Sequence, residues 1–135
     1  PWSGHLALPG GRQDPDDEDL LATAIREAAE EVSLTLDRSA LVRTLDDVIP
    51  RTPTLPAIAV RPFVFRLQQR PLVVPNIEVA AAEWIELAAL TNPAVHREID
   101  LDVAGTRRRV PAYVTRFGNI WGMTERILSL LLAEG

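Results

Sequence analysis

The alternation of apolar and polar positions divides the chain into a short list of elements. HLAL (5–8) is an apolar run closed by Pro9, Gly10 and Gly11, which predicts a strand entering a tight loop. DPDDEDLLATAIREAAEEVSL (14–34) has a helical period. At about 100° per residue, Leu21, Ile25, Ala28 and Val32 share one side and Glu27, Glu30 and Glu31 fall on the other. Asp16 to Asp19 stand where a helix dipole favours acids. LVRTLDDVI (41–49) and AIAVRPFVFRL (57–67) predict strands on either side of the loop PRTPTLP (50–56). EVAAAEWIEL (78–87) fits helix or strand, with Trp84 and Ile85 favouring a strand near its end. EIDLDV (98–103) and RRVPAYVT (108–115) alternate around AGT, a hairpin signal, and MTERILSLLLAE (123–134) predicts an apolar helix. Strands mixed with helices indicate an α/β layered fold. No repeat, low-complexity tract or linker interrupts it, so residues 1–135 are expected to form one domain, with an upstream part before Pro1, which is not a methionine.

Composition narrows the function classes. A hydrophobic fraction of 47% supports an ordinary core, and no apolar window is long enough for a membrane span. The chain has no cysteine, which removes disulfides, thiolate metal sites and a cysteine nucleophile, and fits a cytoplasmic protein. A net charge of −5 argues against general nucleic-acid binding. All fourteen basic residues are arginine, whose fork geometry suits phosphate.

Eight carboxylates lie between Asp14 and Glu31. On a helix Glu27 and Glu31 are neighbours, with Glu30 beside them, and each like-charge pair costs roughly a few tenths of a kcal/mol. A solvated acidic face is one reading. A divalent cation is the other: Mg²⁺ or Mn²⁺ prefers oxygen ligands, reverses the sign of the repulsion, and leaves room for a phosphate. The adjacent Pro9-Gly10-Gly11 loop would let backbone approach the same face closely.

Gly11, Glu18, Arg26, Glu27, Glu30, Glu31 and Leu34 resemble the Nudix hydrolase box, G-x5-E-x7-R-E-U-x-E-E-x-G-U with U aliphatic. The Arg-Glu-x-x-Glu-Glu core is intact, and Glu18 to Arg26 keeps the x7 spacing. Six residues rather than five separate Gly11 from Glu18, Ala28 is small for an aliphatic position, and Ser33 replaces the glycine. The longer loop, with GHLALPGG before it, is similar to the coenzyme A diphosphatase subgroup. The resemblance implies a Nudix-type α/β/α sandwich with a mixed β-sheet between helices. It implies hydrolysis of the pyrophosphate bond in a nucleoside diphosphate linked to another moiety. Coenzyme A or an acyl-CoA is the leading substrate; an ADP-sugar or housecleaning hydrolase, or a non-catalytic nucleotide-binding module, are the alternatives. It further implies Glu27, Glu31, Glu30 and the Gly11 carbonyl as ligands of Mg²⁺ or Mn²⁺. Glu30 could instead act as a base, Arg26 would orient a carboxylate such as Glu30, and a homodimer is an assembly open to the family.

Outside the box the expectations are looser. Arg51 and Arg61 flank the Pro-rich segment and could grip substrate phosphates, and Glu78 or Glu83 could supply a base from a loop. His5, His96 and Trp121 fit structural roles, and Arg107 to Arg109 fit a solvated hairpin edge. Ser33 falls where a helix end often turns left-handed, a conformation that favours glycine.

Overall fold

The computed structural model describes residues 5–49, 59–77, 79, 81–103 and 105–133. They fall into two compact units, Leu8–Glu83 and Trp84–Gly135 together with Pro1–Ala7.

In the first unit, helix α1 spans Leu20–Val32. The helix starts six residues later than the acidic run. Asp19 is its N-cap, accepting from the Ala22 N–H at 2.8 Å, so Asp14 to Asp17 belong to the approach loop and not to the first turn. Its inward side buries Ala28 and Val32 as expected, and also Thr23, whose hydroxyl donates to Asp17 Oδ2 at 2.8 Å. The helix ends at Ser33, at φ 60° and ψ 30°, the left-handed conformation the sequence position suggested. Beyond a 3₁₀ turn at Arg38–Ala40, strand β1 (Leu41–Thr44) pairs antiparallel with β2 (Phe63–Phe65). Both are shorter than expected. Past Thr44, among the described residues, the pairing continues as the Leu45 amide on the Pro62 carbonyl and the isolated bridge Val48↔Val60. Further along the chain, the Val74 and Asn76 amides donate to the carbonyls of Val32 and Glu31, each at 2.9 Å, so this segment lies along the last turn of α1.

In the second unit, β3 (His96–Val103), β4 (Thr106–Thr115) and β5 (Gly118–Trp121) form an antiparallel sheet in the order β3-β4-β5. The predicted hairpin is present, running from His96↔Tyr113 to Val103↔Thr106, with Gly105 at φ 82° in its connection. Pro111 is tolerated in the central strand because β5 reaches only to Ala112↔Trp121, leaving that side of β4 open beyond it. Strand β5 was not anticipated. It follows Arg116-Phe117, where the Thr115 side chain accepts from the amides of Phe117 and Gly118 and turns the chain back. HLAL contributes an isolated parallel bridge, His5↔Asn119, beside this antiparallel sheet and no strand of its own. The strand expected near Trp84 and Ile85 is absent; a short helix, α2 (Leu87–Leu90), follows instead.

Helix α3 (Gly122–Ala133) packs on this sheet, and Leu90, Tyr113, Ile120 and Leu128 form the buried cluster, with Leu6, Ile85, Val95, Leu131 and Leu132 against it. The buried Glu125 is satisfied there: His96 Nε2 lies 2.8 Å from its Oε2, and the Ser129 hydroxyl donates to the same oxygen at 3.1 Å. His96 is thus a structural partner, and His5 sits edge-on to Trp121 at 5.3 Å. Arg107 and Arg109 face Asp102 and Asp100 across the hairpin at 3.8 and 3.5 Å, as a solvated edge would. Among the described residues no helix is long and apolar enough to cross a membrane.

Candidate functional site

The Pro-Gly-Gly loop is fastened to the polar face of α1 at three successive residues. Gly10 N–H donates to Glu31 Oε1 at 2.9 Å. Gly11 lies directly against the Glu27 carboxylate: a Cβ there would collide with Glu27 Oε2 and stand 2.6 Å from its Cδ, so any larger residue displaces the carboxylate from this position. The Arg12 carbonyl accepts from Arg26 Nη2 at 3.2 Å. Backbone and carboxylates therefore meet where the sequence predicted.

Arg26 is the hub of this arrangement. Its Nη1 lies 3.3 Å from both Glu27 Oε2 and Glu30 Oε2, so the expected contact to Glu30 at i+4 is present. The shorter contacts go elsewhere. Asp17 takes the guanidinium at two points, from Nε at 3.1 Å and Nη2 at 3.0 Å. Its side chain is only 7% exposed. The Arg26 fork, the Asp14 amide and the Thr23 hydroxyl hold the Asp17 carboxyl far below the usual carboxylate range and fix it as an acceptor. The box acid is therefore better matched by Asp17, which is separated from Gly11 by five residues, than by Glu18. Glu18 is 82% exposed and lies 3.4 Å from Arg38, away from Arg26. Keeping five intervening residues after Gly11 finds Asp17; the preference for glutamate and for x7 spacing points one residue too far.

Electrostatics single out Glu27. Burial pushes its carboxyl above the usual range, and the charge of Glu31 adds to that; Arg26 opposes it, while Glu30 raises it further. Glu27, Glu30 and Glu31 are hard oxygen donors on one helix face, and the strain of keeping Glu27 ionised is the kind a divalent cation relieves. The donor set fits such an ion in chemistry. Among the described residues no three acidic or imidazole side chains already converge on one point. The reason is visible: Arg26 draws Glu30 and Glu27, and the Gly10 amide draws Glu31.

The remaining candidates stand apart. Arg61 is engaged by Asp47, Nε to Oδ1 at 2.9 Å and Nη2 to Oδ2 at 3.3 Å, and its charge is balanced there. Glu83 is exposed. Arg51 and Glu78 lie outside the described residues.

The NUDIX domain model matches residues 1–104. The chain is 30% identical to an uncharacterized Nudix hydrolase, NudL, of Photorhabdus laumondii, an alignment covering 98% of this chain and 69% of that protein. It is 32% identical to the NudL of Yersinia pestis, covering 98% and 65% respectively. An uncharacterized protein of Schizosaccharomyces pombe is 36% identical over 75% of this chain and 32% of its own length. The chain thus spans about a third of the yeast relative and about two thirds of the bacterial ones. With its mixed α/β content and a glycine loop seated on the Arg-Glu-x-x-Glu-Glu helix, the chain belongs to the Nudix family.

Proposed function

We propose that this chain is a divalent-cation-dependent pyrophosphohydrolase acting on a nucleoside diphosphate linked to another moiety, with coenzyme A or an acyl-CoA as the substrate. The observation that carries the reading is the contact of Gly11 with the Glu27 carboxylate, a close backbone approach that a side chain at residue 11 would disturb, beside a carboxylate flanked by two others. The coenzyme A assignment rests on the one extra residue between Gly11 and Arg26 and on the resemblance of GHLALPGG to that subgroup.

Glu27 and Glu31, with Glu30 and the Gly11 carbonyl, would hold Mg²⁺ or Mn²⁺. The ion supplies neutralisation of the diphosphate and a lowered pKa for water. Glu30 is the more solvated carboxylate, 56% exposed in its side chain, and is suited to take the proton of the attacking water. Arg26 keeps Glu30 within reach of Glu27 and is itself kept in place by Asp17. Water oxygen bonds to one phosphorus and the bridging P–O bond breaks, its electron pair leaving with the second phosphate. Coenzyme A would give 3′-phosphoadenosine 5′-monophosphate and 4′-phosphopantetheine.

The test is incubation with Mg²⁺ or Mn²⁺ and coenzyme A, ADP-ribose, NADH, dinucleoside polyphosphates and nucleoside triphosphates, with products identified by mass spectrometry. Those two products from coenzyme A support the reading. Cleavage of ADP-ribose without coenzyme A would move the substrate to the ADP-sugars, and no cleavage of any compound would overturn hydrolysis.

A further inference from the structure

We infer that Arg12 binds the phosphate oxygens of the substrate at the acidic face. The inference rests on the hydrolase reading above and deepens it. Residues 9–34 carry eight carboxylates against two arginines, so a polyanionic substrate approaches a surface of its own sign. The two arginines are used differently. Arg26 makes ion pairs with Asp14, Asp17, Glu27 and Glu30. Arg12 is exposed and makes no ion pair among the described residues, although Asp14, Asp16 and Asp17 follow it within five positions and its neighbours Gly11 and Gly10 touch Glu27 and Glu31.

Its placement is nevertheless fixed. The carbonyl of Arg12 is held by Arg26 Nη2, the preceding Gly11 rests on Glu27, and Gly10 is bonded to Glu31. The backbone is anchored beside the three carboxylates while the guanidinium stays uncommitted. A cation consumed by neighbouring carboxylates could not serve phosphate; this one is available, and its planar fork matches two phosphate oxygens. Arg12 therefore offsets phosphate charge that a bound cation would leave over.

Two measurements test this. In the first, steady-state kinetics with coenzyme A are compared for wild type, Arg12→Ala and Arg12→Lys. Removal of an exposed charge-assisted contact should raise KM about tenfold in the alanine variant, with kcat reduced far less and lysine restoring most of the loss. Added salt should raise KM more steeply in wild type than in Arg12→Ala. In the second, calorimetry follows inorganic pyrophosphate binding in the presence of Mg²⁺, with the same order of affinities expected whether or not turnover occurs. If wild type hydrolyses coenzyme A and the alanine variant keeps its KM and its pyrophosphate affinity, the hydrolase reading stands and the role of Arg12 is refuted. The same holds if Ala and Lys are equally impaired, which would mark a steric role. If no substrate turns over yet pyrophosphate binding depends on Arg12, the inference stands and hydrolysis falls. Wild type that neither turns over any of the compounds tested nor binds pyrophosphate refutes both.

Discussion

Asp17 closes on Arg26 with both carboxylate oxygens, at 3.1 and 3.0 Å, and so sets the position of the guanidinium that reaches Glu27 and Glu30. Asp17→Asn keeps the shape but removes the charge. Thermal unfolding at pH 7 should show a lower Tm for the variant, and kcat should fall because Arg26 is free to turn. The native carboxyl is depressed below its unfolded value, so its contribution is full above the ordinary carboxylate range and is lost as pH falls below it. The Tm difference between wild type and variant should shrink between about pH 5 and pH 2. A difference that is constant with pH would mean the ion pair is not its source.

Glu27 has the opposite sign. Its carboxyl is raised by burial and by Glu31, so ionising it costs the native state, and stability falls as pH rises from the ordinary carboxylate range through the raised native value. Glu27→Gln should raise Tm at neutral pH without added metal while activity is lost. A lower Tm in differential scanning calorimetry would show that the carboxylate is stabilising and not strained.

Gly11→Ala places a methyl group into the Glu27 carboxylate. The obstacle is the tip of a flexible side chain, so Glu27 can swing aside and the fold should survive. Displacing a reacting group by about 1 Å can cost on the order of 100-fold in rate. Near-normal Tm with activity reduced at least about tenfold is the expected pair of results. Full activity would separate Gly11 from the chemistry.

Ser33 tests the helix end apart from the site. Its left-handed backbone favours glycine by up to about 1 kcal/mol, but its hydroxyl donates to the Val74 carbonyl at 3.1 Å, an exposed bond of similar worth. Ser33→Gly should therefore be close to neutral in stability, whereas Ser33→Ala keeps the backbone strain and loses the bond. Chemical denaturation should rank alanine below both. A stabilised alanine variant would rule out the Val74 contact.

Part of the site was legible because glycine and carboxylate positions report backbone approach and charge directly: Gly11 lies against Glu27 and Gly10 against Glu31, on the helix face that their spacing suggested. Local pattern also gave the β3–β4 hairpin and the left-handed Ser33. It misled where partners are distant or irregular. Asp17 sits in the approach loop, where no periodicity indicates which oxygen Arg26 will take. Strand β5 is four residues long and is set by the Thr115 turn more than by alternation. Arg61 looked available for phosphate because its partner, Asp47, lies fourteen residues away in sequence.

The central claim is that Glu27, Glu30 and Glu31 form a divalent-cation site. Mn²⁺ titration followed by electron paramagnetic resonance measures this without any substrate. Wild type should bind Mn²⁺ saturably, and Glu27→Gln and Glu31→Gln should each weaken that binding by at least about tenfold. Equal binding in wild type and both variants would show that the acidic face is only solvated surface.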